Sequence, residues 1–243
     1  KFTNNTDIIF GANVVCHIPD LIEFILTCDL ALNDNGKIIF EEPYLGSMYK
    51  KISYDQIYDE HIFMFSITSI EKIFGFFDFQ LIDVLPQSTH GGSMRYVIER
   101  KKNKLNDKIK KYLEKEKKLK INNISGALNF KKDCELSKER LQYNLNKLKK
   151  MGKDICGYGA TSKSTTILNY CSIDSKIIDC IFDTTPSKIG KYSPGMHIPI
   201  IDYRNFNKKS YEYAFLFAWN HKTEIEKKEK YYLRSGGKWI THL

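Results

Sequence analysis

Residues 54–66 carry the side chains best suited to acid–base chemistry. Tyr58, Glu60 and His61 place a phenol, a carboxylate and an imidazole within four residues, and apolar residues 63–65 follow. An imidazole against an apolar wall can stay neutral near pH 7 and accept a proton. A nearby carboxylate can fix its tautomer or hold the imidazolium that forms. The alternative is a surface loop with one satisfied histidine beside a hydrophobic anchor, and the spacing alone does not decide between the two.

Residues 1–101 predict an open sheet that would place this stretch where its strands end. Strands are expected at residues 7–10, 37–41, 79–85 and 94–100, and helices at residues 19–32 and 68–76. The first two strands flank a helix, which indicates a parallel pair with a crossover connection, and the last two are expected to pair antiparallel. Because ligands lie at the carboxyl ends of strands in such sheets, we expect His17, His61 and His90 to meet at one edge.

Local signals predict how these elements begin and end. The strand at residues 7–10 is apolar and is expected to be buried. Pro19 is expected in the first turn of the next helix, where its missing N–H is harmless. Residues 33–36 have the composition of a tight turn, and Thr68 with Glu71 forms a capping-box pattern.

The second half of the chain predicts a helical connector and a second α/β domain. Residues 103–151 have a helical pattern with a break at residues 122–126. The apolar stripe of this segment consists of Ile121, Leu128, Leu136, Leu141, Leu145 and Leu148. Strands at residues 154–156, 176–182, 213–219 and 238–241 then alternate with helices at residues 161–170 and 222–234, which is typical of a doubly wound domain. The expected domains are residues 1–101, the connector 102–152, and residues 153–243.

The glycine-containing stretch at residues 157–164 allows three interpretations. As a phosphate loop it ends correctly in Lys163-Ser164, but Ser162 stands where a glycine is required. As a dinucleotide fingerprint it lacks the third glycine, and the acidic Asp183 lies further along than expected. The third interpretation is a helix N-terminus that receives a phosphate-bearing ligand, with Lys163 as the counter-charge. We favour this third interpretation.

The net charge of +9 raises the alternative of nucleic-acid binding. Residues 101–153 contain eighteen Lys/Arg and six Asp/Glu, whereas the remainder has a net charge of −3. The basic segment has almost no arginine and few aromatic residues, which favours a solvated helical face over a nucleic-acid site. No run approaches the roughly 18 apolar residues of a membrane span, and no signal peptide is recognisable.

The cysteines favour a reducing, cytoplasmic compartment. The six cysteines are Cys16, Cys28, Cys134, Cys156, Cys171 and Cys180. They form no Cys-x-x-Cys pair, and several lie in apolar patterns, where free cysteine behaves as a small hydrophobe. His17, His61 and His90, with Glu60 or Glu42, are ligand types that suit zinc or iron, but no local pair has the usual ligand spacing. The sequence therefore predicts no metal site.

Short motifs in order along the chain carry a family resemblance. They lie at residues 14–21, 40–44, 58–61, 89–95, 157–160, 168–171, 193–200 and 218–220. These motifs resemble the C-methyltransferases typified by the nucleotide-diphospho-4-keto-6-deoxyhexose 3-C-methyltransferases of sugar biosynthesis. The resemblance implies the C-terminal half of a class I methyltransferase sheet, then a helical connector and a small Rossmann-like doubly wound domain.

The same resemblance implies a cofactor that this chain would contact only in part. S-adenosylmethionine is the methyl donor of the family, and Asn13 and Val14 are the expected contacts. The glycine-rich loop for this cofactor and the cysteines of an upstream zinc module have no counterpart in the sequence. Since the chain begins at Lys1, we expect it to be part of a longer protein and to bind the cofactor weakly or not at all.

The resemblance also implies the reaction and the site residues. A 4-keto sugar is acidic at C3, so His61 is the expected base, with Tyr58, Glu60 and His17 as catalytic neighbours. The expected substrate contacts are His90, Arg95, Gly159, Lys163 and Asn220. The alternatives are a truncated, non-catalytic remnant that binds a nucleotide-sugar, and a related methyltransferase with another small-molecule acceptor. The expected partner is a small molecule rather than nucleic acid or membrane, and the expected oligomeric state is a monomer.

Overall fold

The computed structural model describes residues 3–101, 107–208 and 211–243, and the chain forms two compact units. One unit comprises Lys1–Ser53 and Asp59–Lys131, and the other comprises Tyr54–Tyr58 and Lys132–Leu243. The division therefore falls inside a long helix, and the predicted boundaries at residues 101 and 152 stay a prediction. The expected helical start at Asn103 lies outside the described residues.

The first unit is built on a four-stranded sheet. Its elements are β1 (Thr6–Ala12), α1 (Leu21–Ala31), β2 (Leu32–Pro43), α2 (Leu45–Lys51), α3 (Ile67–Gly75), β3 (Phe79–Gln87), β4 (Ser93–Arg100) and α4 (Asp107–Lys118). The strand order is β1-β2-β4-β3, in which β1 and β2 are parallel and β4 is antiparallel to both of its neighbours. The predicted crossover pair and the predicted antiparallel pair are confirmed, and the mixed α/β unit is consistent with a methyltransferase fold.

The second unit is built on a five-stranded parallel sheet. The remaining elements are α5 (Ile124–Lys150), β5 (Ile155–Tyr158), α6 (Ser162–Tyr170), β6 (Ile181–Asp183), β7 (Ile200–Asp202), β8 (Tyr213–Leu216), α7 (Lys222–Lys228), α8 (Lys230–Arg234) and β9 (Lys238–Ile240). The order β7-β6-β5-β8-β9 runs outward in both directions from β5, which is the strand order expected of a doubly wound sheet. Among the described helices, none is both long and apolar enough to cross a bilayer.

Strand β1 is less buried than its apolar sequence predicts. The Ile8 and Phe10 side chains are 58% and 62% exposed. Of the described strands, only β2 pairs with β1, so one edge and much of one face of β1 are open. The prediction of a buried strand at residues 7–10 is therefore wrong for this part of the chain.

Strand β2 contains the residues that the sequence predicts as a turn. Residues 33–36 lie inside β2, and the pairing register shifts between Thr6↔Leu32 and Ile8↔Lys37. A Cβ at Gly36 would lie 2.6 Å from a methyl carbon of Leu32 and 2.8 Å from the Thr6 carbonyl oxygen. The glycine thus permits a bulge in a continuous strand, where its presence suggested a turn.

The helix starts in the first unit differ from those predicted. The Asp20 carboxylate caps α1 by accepting from the Glu23 N–H at 2.8 Å, so Pro19 precedes the cap instead of lying in the first turn. The capping box of α3 is formed by Ser66 and Ser69, not by Thr68 and its partner. Ser66 has the extended backbone that an N-cap requires, whereas Thr68 already lies inside the helix.

The predictions for the second unit need three corrections. The predicted strand at residues 176–182 shortens to β6, because the Asp174 carbonyl accepts from the Ile177 and Ile178 N–H groups and closes a turn. Strand β7 was not predicted, since only three residues form it. The predicted helix at residues 222–234 divides at Glu229, whose buried carboxylate accepts hydrogen bonds from two tyrosine hydroxyls, those of Tyr158 and Tyr203.

The predicted apolar stripe of the helical segment is only partly buried. Ile121, Leu141 and Leu145 are buried, as expected. Leu128 and Leu136 are 58% and 53% exposed and do not belong to the core. Leu128 and Leu136 lie off the inward face of α5, whose buried and half-buried positions recur every three or four residues at residues 126, 130, 134, 137, 141, 145 and 148.

Glu212 lies just before β8 and pairs with a lysine just before β5 and with one at the start of β9. These pairs make the stability of the second unit depend on pH. The Glu212 carboxylate accepts from Lys153 Nζ at 2.6 Å and from Lys238 Nζ at 2.9 Å, and these hydrogen bonds lower the pKa of Glu212 to about 2. Because the folded pKa lies below the unfolded value of about 4.3, the stabilisation is present above about pH 4.3 and is lost as the pH falls toward 2.

We expect Glu212→Gln to lower the melting temperature slightly near neutral pH, since the group is partly exposed and screened. The difference between parent and variant should close as the pH falls from about 5 to about 2. Thermal melts across that range test this expectation. A difference that stays constant with pH would contradict it.

Candidate active site

The carboxyl ends of β1 and β2 position the first group of candidate residues. The chain leaves β1 at Asn13, whose backbone is left-handed (φ 53°) and whose N–H donates to the Glu41 carbonyl at 2.8 Å. The fully buried Glu42 accepts at Oε1 from the N–H groups of Val14 (3.0 Å) and Val15 (2.7 Å). One carboxylate thereby fixes the short 3-10 turn Val15–His17 at the end of the sheet.

His17 is held by a backbone group. Its Nδ1 lies 2.5 Å from the carbonyl oxygen of Glu60. A carbonyl oxygen only accepts, so Nδ1 carries the proton, and in the neutral ring Nε2 carries the lone pair. The Phe63 N–H also donates to the Cys16 carbonyl at 3.2 Å, which ties residues 60–63 to the 3-10 turn.

His61 lies beside His17, as the sequence predicts. The two ring centroids are 5.2 Å apart with an interplanar angle of 51°, and both rings are half-buried. Cys16 completes a group in which Sγ and one nitrogen from each imidazole lie within 4.8 Å of one another. We call this group the Cys16–His17–His61 cluster.

Cys16 and Glu42 are the site residues whose positions the sequence does not reveal. Burial, followed by the hydrogen bond and negative charge of Glu42, raises the pKa of the Cys16 thiol well above its ordinary value. Among the described residues, no N–H or O–H group donates to Glu42 Oε2 or to the buried Asn13 Oδ1. Glu42, whose charge reaches Cys16, and Asn13 at the end of β1 thus each keep one buried acceptor without such a donor. The cysteine has only an apolar signal in the sequence, and Glu42 is noted there only as a possible metal ligand and as part of a family motif.

The other predicted residues of this unit lie at different distances from the cluster. The Glu60 side chain is exposed, and its backbone carbonyl supplies the contact with His17. His90 lies in the 3-10 turn before β4 with a left-handed backbone (φ 50°), and it is not part of the Cys16–His17–His61 cluster. Two of the three histidines expected to meet are thus grouped. Arg95 is paired with Glu41 at 3.0 Å and is half-buried.

In the second unit, the sequence-predicted Lys163 and Asn220 come together. Lys163 Nζ lies 3.2 Å from Asn220 Oδ1 and 5.2 Å from the ring centroid of Trp219. Lys163 is only 8% exposed, and burial lowers its pKa below the ordinary value while the charge of Asp55 opposes that shift. Gly159, with φ +87°, lies in the turn that leads from β5 to α6, the helix that contains Lys163.

A buried acid that the sequence did not single out supports this lysine site. The fully buried Asp55 accepts from Trp219 Nε1 at 2.7 Å and lies 3.1 Å from Nε2 of the fully buried His242. These three side chains come from distant parts of the sequence. No short motif in the sequence therefore marks the contacts among them. Tyr58 is half-buried in the same unit.

Asp183 has a structural role rather than the role of a ribose acceptor. Its Oδ2 accepts from the Ala160 N–H at 2.6 Å and its Oδ1 accepts from the Thr185 N–H at 2.7 Å. Both oxygens are thus committed to the backbone of the adjacent loops. This arrangement disfavours the dinucleotide interpretation of residues 157–164.

A cleft lies beside the start of α6. Its volume is about 290 Å³, and its lining includes Thr161, Ser162, Lys188, Lys191 and Tyr192. Lys188 donates to the Ala160 carbonyl at 2.7 Å, and Lys191 is exposed. A helix N-terminus with cationic side chains is suited to an anionic group, which agrees with the interpretation favoured from the sequence.

Comparison with known proteins identifies the family. Residues 2–84 match the model of a methyltransferase domain, and residues 88–243 match the model of the C-methyltransferase C-terminal domain. The chain is 28% identical over 238 residues to the C-methyltransferase NovU of Streptomyces niveus, an alignment that covers 97% of this chain and 57% of NovU. The chain thus spans just over half the length of that curated relative. Since the C-terminal domain model covers more than half of its residues, the chain belongs to the C-methyltransferase family.

Proposed function

We propose that this chain carries the proton-abstracting part of an S-adenosylmethionine-dependent enzyme that methylates C3 of a nucleotide-diphospho-4-keto-6-deoxyhexose. The observation that carries the proposal is the pair of half-buried imidazoles, His17 and His61, 5.2 Å apart at the end of a methyltransferase sheet. Methyl transfer to carbon needs a carbanion or enolate, and a carbonyl beside the carbon makes its proton removable by such a base.

The proposed reaction begins with His61. Its imidazole accepts the C3 proton, and the electron pair of the broken C–H bond moves into the enolate of the C4 ketone. The neighbouring His17, whose Nδ1 proton is held by the Glu60 carbonyl, presents Nε2 as a second acceptor beside it. C3 would then bond to the methyl carbon of the donor, whose bond to sulfur would break with the electron pair left on sulfur. The C4 ketone re-forms, and the imidazolium returns its proton to solvent. Tyr58 and Glu60 are proposed as further catalytic neighbours.

Asn13 and Val14 are proposed to contact the methyl donor. S-adenosylmethionine, the cofactor that a methyltransferase family implies, supplies an electrophilic methyl group on a positively charged sulfur. Asn13 Oδ1 is a buried acceptor without a donor in the described residues, and Val14 offers an apolar side chain that is 49% exposed. One polar and one apolar contact fit part of an adenosyl group, so these residues suit the cofactor.

Five residues are proposed as contacts to the sugar nucleotide. His90 and Arg95 are proposed for the first unit, and Gly159, Lys163 and Asn220 for the second. Lys163 is the strongest of these candidates, because a buried ammonium that gains an anionic partner regains the stabilisation that burial removed. We also propose that the protein is a cytoplasmic monomer. Its partner is a small molecule, and it binds neither nucleic acid nor membrane.

Lys163→Ala is expected to weaken binding of a nucleotide diphosphate by about 1–3 kcal/mol, the loss of one charge-assisted hydrogen bond. Titration calorimetry on the parent and variant measures this change. Lys176→Ala, which removes an exposed lysine of the same unit, is the matched control and should bind as the parent does. Unchanged affinity in Lys163→Ala, with a loss in Lys191→Ala, would move the diphosphate to the cleft beside α6.

Methyl-group location tests the proposed function. The protein that contains this sequence, at its natural length, is incubated with a donor carrying a ¹³C-labelled methyl group and a nucleotide-diphospho-4-keto-6-deoxyhexose. The expected product has the labelled carbon on C3. A label on oxygen, nitrogen or another carbon would reject the proposed acceptor atom. Tight sugar binding with no transfer would support the non-catalytic alternative, and no sugar binding would support another acceptor.

A further inference from the structure

The Cys16–His17–His61 cluster has the composition of a transition-metal site. The thiol sulfur and one nitrogen of each imidazole lie within 4.8 Å of one another. Zinc-type ions take thiolate and imidazole ligands at about 2.0–2.3 Å, so a tetrahedral ion holds its ligand atoms roughly 3.3–3.8 Å apart. If the two half-buried imidazoles rotated so that their ring nitrogens moved by about 1 Å, the three ligand atoms would reach that spacing.

His17 is already oriented as metal-bound histidines are. Such histidines donate the ring N–H that does not bind the metal to a carboxylate, a carbonyl or water, and this contact fixes the tautomer. The Glu60 carbonyl holds His17 Nδ1 in this way at 2.5 Å. His17 Nε2 is therefore the nitrogen that is oriented to bind a metal ion.

The buried carboxylate of Glu42 also favours a bound cation near the cluster. It is 0% exposed, one of its oxygens accepts from two backbone N–H groups, and the other has no donor among the described residues. The Cys16 thiol lies close enough to be influenced by this carboxylate. A Cys16 thiolate and the Glu42 carboxylate would together balance the charge of one divalent ion, which removes the cost of burying two like charges.

We propose that Cys16, His17 and His61 bind a divalent transition-metal ion of the zinc type, with the buried Glu42 carboxylate near Cys16 as a compensating negative charge. The sequence pattern brings His17 and His61 together but predicts no metal site, because no local pair has the usual ligand spacing and Cys16 resembles a packed core residue. A bound ion would occupy the imidazole lone pairs and thereby block proton abstraction. That consequence rests on the proposed function, whereas metal binding itself does not.

Titration of the chain with cobalt(II) under anaerobic conditions tests the site. We expect one equivalent to bind, with a thiolate-to-cobalt charge-transfer band in the near ultraviolet and intense visible bands typical of tetrahedral coordination. Zinc should displace the cobalt. Cys16→Ser should abolish the charge-transfer band and weaken zinc binding by at least about a hundredfold.

Cys28→Ser is the matched control, because Cys28 is a buried thiol of α1 in the same unit and lies outside the cluster. It should keep the band. Loss of the band in Cys28→Ser but not in Cys16→Ser would overturn the proposal, as would cobalt binding without any thiolate band. Should Cys16→Ser fail to fold, zinc X-ray absorption of the parent decides: one sulfur at about 2.3 Å supports the site, and a shell of nitrogen and oxygen alone rejects it.

An activity measurement separates the site from the proposed reaction. If zinc binds to the cluster and also inhibits C3 proton exchange with the same midpoint, both the site and the role of the histidines gain support. Zinc binding without inhibition would leave the metal site intact and move the base away from His61.

Discussion

Replacing His61 with glutamine is expected to lower the rates of C3 proton exchange and of methylation together, by about a hundred- to ten-thousandfold. Glutamine keeps a hydrogen-bonding side chain of similar reach but does not accept a proton at neutral pH. Binding of sugar and cofactor should stay close to that of the parent. Exchange followed by nuclear magnetic resonance, together with calorimetric titration, separates the loss of chemistry from a loss of binding.

Two further variants assign the proton acceptor. Glu60→Gln should have a much smaller effect, because the Glu60 contact with His17 is made by a backbone carbonyl that the substitution keeps. His17→Gln removes the neighbouring imidazole and shows how far the pair acts together. If His61→Gln exchanges deuterium at the parent rate and His17→Gln does not, the base is His17.

Glu116→Ala is expected to destabilise the first unit by at least about 3 kcal/mol, because it leaves several buried donors without an acceptor. Glu116 of α4 is 0% exposed. Its Oε1 accepts from the Ile67 N–H at 2.7 Å and the Tyr44 hydroxyl at 2.9 Å. Its Oε2 accepts from the Thr68 N–H at 2.9 Å and the Thr68 hydroxyl at 2.6 Å. The carboxylate also meets the positive end of the α3 dipole.

Urea denaturation measures this loss as a lower midpoint. Glu114→Ala on the same helix is the matched control, since Glu114 is exposed, and it should change stability by less than about 0.5 kcal/mol. Glu116→Gln keeps one carbonyl oxygen and should fall between the two. Equal midpoints for Glu116→Ala and Glu114→Ala would show that α4 does not stabilise the start of α3.

Hydrophobic patterns predicted most of the architecture. The parallel pair β1 and β2, the antiparallel pair β3 and β4, and the parallel strands of the second unit follow from apolar runs and their spacing. These signals are local and repeat over several residues. Elements that lack such repetition, such as the three-residue β7, gave too little pattern to be recognised.

Interactions between distant residues account for the errors. The helix predicted at residues 222–234 breaks because Glu229 pairs with tyrosines far away in the sequence. The start of α3 is set by Ser66, and its free N–H groups are satisfied by Glu116, which lies about 50 residues further along the chain. Neither contact has a signature in the residues near the element it controls.

The candidate site was predictable where a motif or a strand end marked it. His17 and His61 follow predicted strands, and the structure groups them. Cys16 was not predicted as a site residue, because a buried cysteine resembles core packing, and the burial of Glu42 has no signature in the sequence. Only the folded chain shows that Cys16 lies close to both Glu42 and the imidazole pair.

Proton exchange in heavy water tests whether His61 removes the C3 proton. The protein at its natural length is incubated with a nucleotide-diphospho-4-keto-6-deoxyhexose and S-adenosylhomocysteine, which has no methyl group to transfer. We predict that deuterium replaces the proton at C3 faster than at C5, the other carbon beside the ketone, and that His61→Gln abolishes this replacement. Methylation by the same protein without any exchange at C3, or exchange that persists unchanged in His61→Gln, would contradict it.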